Sequence, residues 1–425
     1  MARKFICLLL VVLFTGNLYS QNLRKNQEVF LEAEYFMMFG DYSDALPMYL
    51  QLKAEYPDNY NLSHKIGRCY LNIDGQKHKA IEYLEQAADN SVAIYREGTL
   101  KQKEASYIAW FDLATAYRIN YKFDKAKEAY KRYLETLLPE NTEDRIFIEH
   151  QLEVCDNAMD LVARPIEFTE ENIGEQFNDS NSNFHPLISG DGNSFVYMSG
   201  MKFYDAVFFA QKIKNKWAGP VNITPEIQSD GDLYVSCLSH DGKELFITRV
   251  ADDRSDIYSS TFNGTRWSVA RKLNENISSA YWDAHACLYP DGNTLVFASD
   301  RPGGFGGLDL YISKLQDDGS WGPPRNLGPE INTAFNEDRP AVSEDGKTLF
   351  FCSQGHYNMG GFDIFKSGLL ENGHWTEPAN LGYPINTPDD DTFFMPVNNG
   401  RNGYISAYRQ DKGFGKEDIY YITFK

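Results

Sequence analysis

Residues 283–322, DAHACLYPDGNTLVFASDRPGGFGGLDLYISKLQDDGSWG, decide the architecture, because residues 337–376, EDRPAVSEDGKTLFFCSQGHYNMGGFDIFKSGLLENGHWT, write the same pattern again. Each copy holds a short apolar run, an Asp-Gly turn, a second run (TLVFAS, TLFFCS), a Gly-Gly turn, a third run opening Asp-Leu-Tyr or Asp-Ile-Phe, and a Trp strand. Asp-Gly between two alternating runs is a hairpin signal, since a two-residue turn needs positive φ that glycine supplies without strain. Four short strands per unit, repeated, is how a propeller blade reads in sequence.

The pattern extends both ways. The turn glycine recurs at Gly192, Gly242, Gly292, Gly346 and Gly400, and the third run opens at Asp205, Asp256, Asp309, Asp363 and Asp418. The Trp strand occurs only at Trp217, Trp267, Trp321 and Trp375, which leaves five units and four outer strands. NIGEQFND (Asn172–Asp179) matches NLGPEINTAFNED (Asn326–Asp338), the stretch that follows the Trp in a full unit. Ile166–Gly174 is therefore expected to supply the outer strand of the last blade and close a five-bladed ring, removing the open edges that invite aggregation.

The 425 residues allow two or three domains. The chain opens as a secretory signal: Arg3 and Lys4, an apolar core from Phe5 to Phe14, then a polar stretch, with cleavage expected after Ser20. Cys7 lies inside that core, so no lipid-anchored N-terminus is expected. The net charge of −19 becomes more negative once the basic leader is removed. Such a field repels phosphate backbones and argues against nucleic acid as a partner. Cys69, Cys155, Cys237, Cys287 and Cys352 are odd in number and widely spaced, and buried free thiols are the expectation, with a Cys69–Cys155 disulfide as the alternative.

From Gln21 to Ala163 the apolar period becomes that of a helix. Trp110, Leu113, Ala114, Tyr117, Ala126, Tyr130 and Pro139 fit the tetratricopeptide template; an earlier unit reads Ala33, Phe36, Ala45, Tyr49, Pro57 and a middle one Gly67, Tyr70, Ala80, Leu84, Ala87. Residues 142–162 read as a capping helix with Ile146, Ile148, Leu152, Cys155 and Met159 on one stripe, and Asn90–Glu104 as part helix, part loop. Arg164-Pro165 marks the boundary. The expected layout is α+β and multidomain: signal peptide 1–20, an all-α tetratricopeptide solenoid over 21–163, and an all-β propeller over 164–425.

No Gly-x-Ser-x-Gly, His-Glu-x-x-His, phosphate-binding glycine loop or Cys-x-x-Cys is present, so no catalytic role, metal or cofactor is expected. His185 and His285 stand seven residues before the turn glycine, with Val235, Arg339 and Phe393 as equivalents, which reads as core or channel wall and not as a repeated metal site. Acids precede the inner strands: Asn178-Asp179, Asp230-Gly231-Asp232, Asp283, Glu337-Asp338 and Asp389-Asp390-Asp391. Converging at one mouth, Asp232, Asp283, Glu337, Asp338, Asp389, Asp390 and Asp391 would draw a cation or a basic segment; alternatively they bond backbone N–H groups and fix blade to blade. The solenoid groove, by template position, would present Gln27, Glu34, Asn61, His64, Arg68, Thr115 and Arg118 to a peptide.

The segments LATAYRINYKFDKAKEAYKRYLE, LSHDGKELFI, YPDGNTLVFASDRPGGFGGLDLY, NMGGFDIF and NLGYPINTPDDD together resemble the tetratricopeptide plus TolB-type, WD40-like propeller arrangement of Bacteroidota envelope proteins. Many of these add an OmpA-like peptidoglycan-binding domain, which is not found in this sequence. The resemblance implies a periplasmic, outer-membrane-associated component of type IX secretion or gliding machinery that holds a β-barrel partner. The expectation is thus a non-catalytic scaffold or adaptor. A receptor for a small ligand, glycan or cation at the acidic mouth is the alternative, and a propeller hydrolase or lyase the third reading.

Overall fold

The helical period from Gln21 onward becomes seven α-helices among the described residues, which in this computed structural model are 24–229, 231–251 and 254–425. They are α1 (24–38), α2 (Tyr42–Glu55), α3 (Tyr60–Leu71), α4 (Ala80–Asp89), α5 (Ile108–Ile119), α6 (Phe123–Thr136) and α7 (Thr142–Ala163). The expected signal peptide lies outside the described residues. Small residues set the helix crossings: Ala33, Ala45, Ala114 and Ala126 are fully buried, and a Cβ on Gly67 would overlap the Leu84 side chain. Tyr49 and Tyr130 fill the remaining space. On α7 the buried stripe is Ile148, Gln151, Cys155 and Ala158, whereas Ile146 and Met159 face solvent; the stripe is rotated by part of a turn from the one expected.

Residues 90–104, expected to be part helix, hold none. Ser91–Val92 and Ala105–Ser106 pair as a two-residue parallel ladder, and turns fill the space between. That segment lies over the inner face of the first helices. Asn59 Nδ2 donates to Leu100 O (3.0 Å), Asn61 N to Lys103 O (2.9 Å), and Tyr95 Oη to Asn61 Oδ1 (2.8 Å).

The chain folds as two compact units, Met1–Asp156 and Asn157–Lys425. In the second, five antiparallel sheets follow one another as blades. Their innermost strands are Asn183–Ile188, Leu233–Leu238, Asp283–Leu288, Glu337–Val342 and Met395–Val397. The fifth sheet runs Met395–Val397, Asn402–Tyr408, Glu417–Phe424, Phe168–Asn172, so the strand from the start of the unit completes the last blade. Its register pairs Thr169 with Thr423 and Glu171 with Tyr421. Arg409 Nη2 adds an ion pair to Glu170 (2.9 Å). The ring is closed as expected.

Two local expectations change. The Asp-Gly reversals are not two-residue turns: Ser239 N donates to Glu244 O (2.8 Å), so residues 240–243 make the bend. Gly242 takes φ +70°, and Oδ1 of Asp241 accepts the N–H of Lys243 (3.1 Å). Asp191, Asp291 and Asp345 repeat that bond to the residue two positions on. Of the four Trp residues, Trp217 lies in an edge strand, Lys216–Trp217, and the other three do not. Trp267, Trp321 and Trp375 make single bridges to Phe262, Leu315 and Leu369, and two-residue strands just beyond them form the edge, as at Arg325–Asn326 and Ala379–Asn380. The indoles instead fill the blade cores, buried among residues such as Phe209, Ile277 and Phe351.

Candidate functional site

The acids before the inner strands divide by register. Asp283, Glu337 and Asp391 occupy one position in three blades, with Asn183 in a fourth, and each accepts the backbone N–H of the residue four earlier. The bonds are Ser279 N to Asp283 (2.6 Å), Thr333 N to Glu337 (2.7 Å), Thr387 N to Asp391 (2.5 Å) and Asp179 N to Asn183 (2.8 Å). Hydroxyls of Ser299 and Ser353 complete the first two. Asp283 and Glu337 are fully buried and do not face a mouth, which corrects the expectation of a converging acidic ring. Arg301 Nη2 pairs with Asp283 at 2.7 Å. Glu337 makes no ion pair among the described residues, and burial pushes its carboxyl up to about 7; burial also holds Asp391 well above the usual carboxylate range.

Asp389 and Asp390 clip the fourth blade to the fifth. Gly361 N donates to Asp389 O (3.2 Å), Phe362 N to Asp390 Oδ1 (2.9 Å), and Asp391 N to Phe362 O (2.7 Å). The preceding junction repeats this through Phe335 O, Asn336 Oδ1 and Glu337 N. The glycine pair just before each third strand is required here, since a Cβ on Gly306 or Gly360 would strike the backbone of Phe335 or Asp389. Asp232 and Asp390 remain exposed, and Asp230 lies outside the described residues. The acids opening the third strands are turn ligands: Phe305 N bonds Asp309 (2.6 Å), Met359 N bonds Asp363 (2.7 Å) and Phe414 N bonds Asp418 (2.6 Å).

Around the inner strands a second group gathers that includes both histidines. His185, His285 and Arg339 sit in β-bulges with φ of 50°, 36° and 50°, unusual for residues with a Cβ. His285 Nδ1 donates to Asp338 (2.9 Å), whose carboxyl is held below its usual range mainly by that imidazole, against the effect of burial. The His185 ring stacks on Phe393 with centroids 5.0 Å apart, and Tyr234 lies 5.7 Å away. Val235, the equivalent by sequence spacing, is buried in the blade and lacks the left-handed backbone of His185, His285 and Arg339, although its strand bulges at the same register; Tyr234 is the residue of this blade that lies beside the histidines. Burial and the neighbouring Arg339 hold the His185 pKa well down, so the ring is neutral. Tyr234, Asp338 and Arg339 as partners of the histidines were missed in sequence, because bulges shift the alternation that would place them.

The solenoid residues are likewise engaged. Gln27 bonds Leu100 N (3.0 Å) and Gly98 O (3.3 Å), and Asn61 lies under the same segment, bonded to Lys103 and Tyr95. Glu34 accepts from Lys65 Nζ (3.0 Å) and from Tyr49 Oη. His64 Nε2 lies 2.7 Å from Asp112, with Arg68 Nε at 3.7 Å, and Thr115 meets Tyr130 Oη at 3.2 Å. His64 and Arg118 are buried. Residues 90–104 therefore fill part of the expected peptide groove, and of the seven residues only Arg68 keeps a side chain about two-fifths exposed.

The solenoid's exposed apolar surface lies elsewhere. Helix α1 buries Asn26, Phe30 and Ala33 on one side, while Leu31, Tyr35 and Met38, with Phe39 beyond its end, are 50–72% exposed on the other. Their spacing of four and three places them on one face. No helix among the described residues is long and apolar enough to cross a membrane, and no group of three His, Cys, Asp or Glu there is placed to hold a metal ion.

Residues 63–91 match the family model described as Tetratricopeptide repeat. No curated protein matches the chain. Among solved structures, TolB from Acinetobacter baumannii is similar at 17% identity and a TM-score of 0.39, covering 58% of this chain and 55% of its own length. A putative TolB from Agrobacterium tumefaciens gives 17%, 0.36, 58% and 78%, and an alpha-L-arabinofuranosidase from Lactobacillus brevis 13%, 0.36, 59% and 91%. This chain thus spans little more than half of the first of these proteins. A helical unit carrying a tetratricopeptide repeat precedes a closed five-bladed propeller.

Proposed function

We propose that this chain is a non-catalytic interaction scaffold that docks a protein partner on the outer face of α1. The observation that carries the reading is the exposed row Leu31, Tyr35, Met38 and Phe39. A helix with apolar residues on two faces needs cover on both, and a solenoid buries such a face by stacking a further helical element on it. The partner is therefore a protein offering an apolar helical face, and the rigid preformed surface limits the ordering entropy lost on binding. The apolar leader Phe5–Phe14 supports export to the periplasm, and the sequence resemblance supports an outer-membrane β-barrel complex of secretion or gliding machinery as the setting.

A photo-crosslinking residue placed at Tyr35 or Phe39, in native cells, tests this. The expected result is one discrete crosslinked protein at these positions and none from the exposed Glu135 of α6. Equal, diffuse labelling from all three positions would contradict it.

A further inference from the structure

Asp283, Glu337, Asp390 and Asp391, expected to draw a cation, are instead held by backbone N–H groups. A cavity of about 260 Å³ is lined by His185, Tyr234, Arg339, Phe393, Asp390 and Asp391, among others. Arg339 makes no ion pair among the described residues. Its guanidinium has two long contacts, Nη1 to His185 Nε2 and to Thr392 O, both 3.4 Å. A guanidinium only donates, so His185 Nε2 accepts, and the proton of the neutral ring sits on Nδ1. That Nδ1 is buried without a partner, in a residue 6% exposed. A buried donor left unbonded costs about 1–3 kcal/mol, which a ligand acceptor would recover.

The left-handed backbone at both His185 and Arg339 holds these two donors against their conformational preference. Phe393 and Tyr234 supply flat walls beside them. Asp390 and Asp391 line the same cavity, with Asp390 Oδ1 engaged by Phe362 N and Asp391 Oδ2 by Thr387. These carboxyls disfavour a ligand of high negative charge such as a phosphate dianion. A singly charged, planar group matches the Arg339 fork and the aromatic walls.

We propose that this cavity binds a small organic carboxylate, with Arg339 and the Nδ1–H of His185 as its donors. The site is independent of the partner surface on α1, so neither reading depends on the other. The test uses acetate and benzoate as probes, with acetamide and benzamide as neutral isosteres and sodium chloride matching ionic strength. Thermal unfolding and the ¹⁵N imidazole resonances of the full chain are followed. At saturation the carboxylates are expected to raise Tm by about 3 °C and to shift the His185 Nδ1 resonance, while the amides do neither. R339Q should lose both effects while keeping its own fold, read from far-UV dichroism. Should that variant fail to fold, the wild-type comparison of carboxylate with amide still decides. Equal responses to acid and amide, or no movement of the His185 resonance with either carboxylate, would overturn the proposal.

Discussion

Asn386 shows how a single buried amide holds a blade together. It is fully buried, accepts from Ile364 N (2.8 Å), donates to Ile364 O (2.8 Å) and reaches Asn380 Oδ1 (2.8 Å). Asn332 and Asn178 repeat this toward Leu310 and Ile419. Changing Asn386 to Ala leaves both backbone groups unbonded in the interior, and a loss of about 2–4 kcal/mol is expected in urea unfolding. Glu337 gives the pH prediction. Its carboxyl is raised from 4.5 to about 7, so the fold favours the protonated form. That stability is fully present below pH 4.5 and is lost as pH rises through 7, on the order of 3 kcal/mol. Urea midpoints at pH 4.5, 5.5 and 7.5 should show E337Q lacking this decline relative to the parent; parallel curves would contradict it. Asp309, Asp363 and Asp418 stand just after a Gly-rich turn in the sequence, and that local spacing dictates their bonds to the turn. The strand-opening acids were open to two readings, since register alone decides whether a carboxylate meets an N–H or solvent. That Tyr234 and not Val235 meets the histidines was not legible, because the spacing from the turn glycine does not record which residue takes a left-handed backbone.

Helices and strands came through the sequence in proportion to how regular their patterns are. The small-residue crossings of the solenoid and the borrowed strand Phe168–Asn172 follow from spacing and from the match of Asn172–Asp179 to Asn326–Asp338. Residues 90–104 carry neither period, so their role in covering Asn61 and Gln27 emerged only from the folded chain. Leu100 anchors them, 6% exposed and bonded on both backbone sides to Gln27 and Asn59. Leu100→Ala should cost about 2–3 kcal/mol and bring proteolytic cleavage into residues 93–103; unchanged protease resistance would show that this cover is dispensable. The buried cysteines also belong to their elements. Cys237 and Cys287 lie on the inner strands of adjacent blades with sulfurs 3.5 Å apart, and their contact and burial push the Cys237 thiol well above its usual pKa. Their thiols should react with a disulfide reagent only as the propeller unfolds.

At the scale of the whole molecule, closure explains why so much acidic side chain is turned inward on a chain of net charge −19. The third-to-fourth and fourth-to-fifth blade junctions take hydrogen bonds from the residues before the next inner strand, and the last blade depends on a strand separated from its partner by almost the entire propeller sequence. Native hydrogen exchange reads this directly. The ladder amides of Phe168–Asn172 and Glu417–Phe424 should exchange slowly and with matching rates, opening as one cooperative unit. Exchange of 168–172 at unfolded rates, while the ladders of the other four blades stay protected, would contradict a ring closed by that strand.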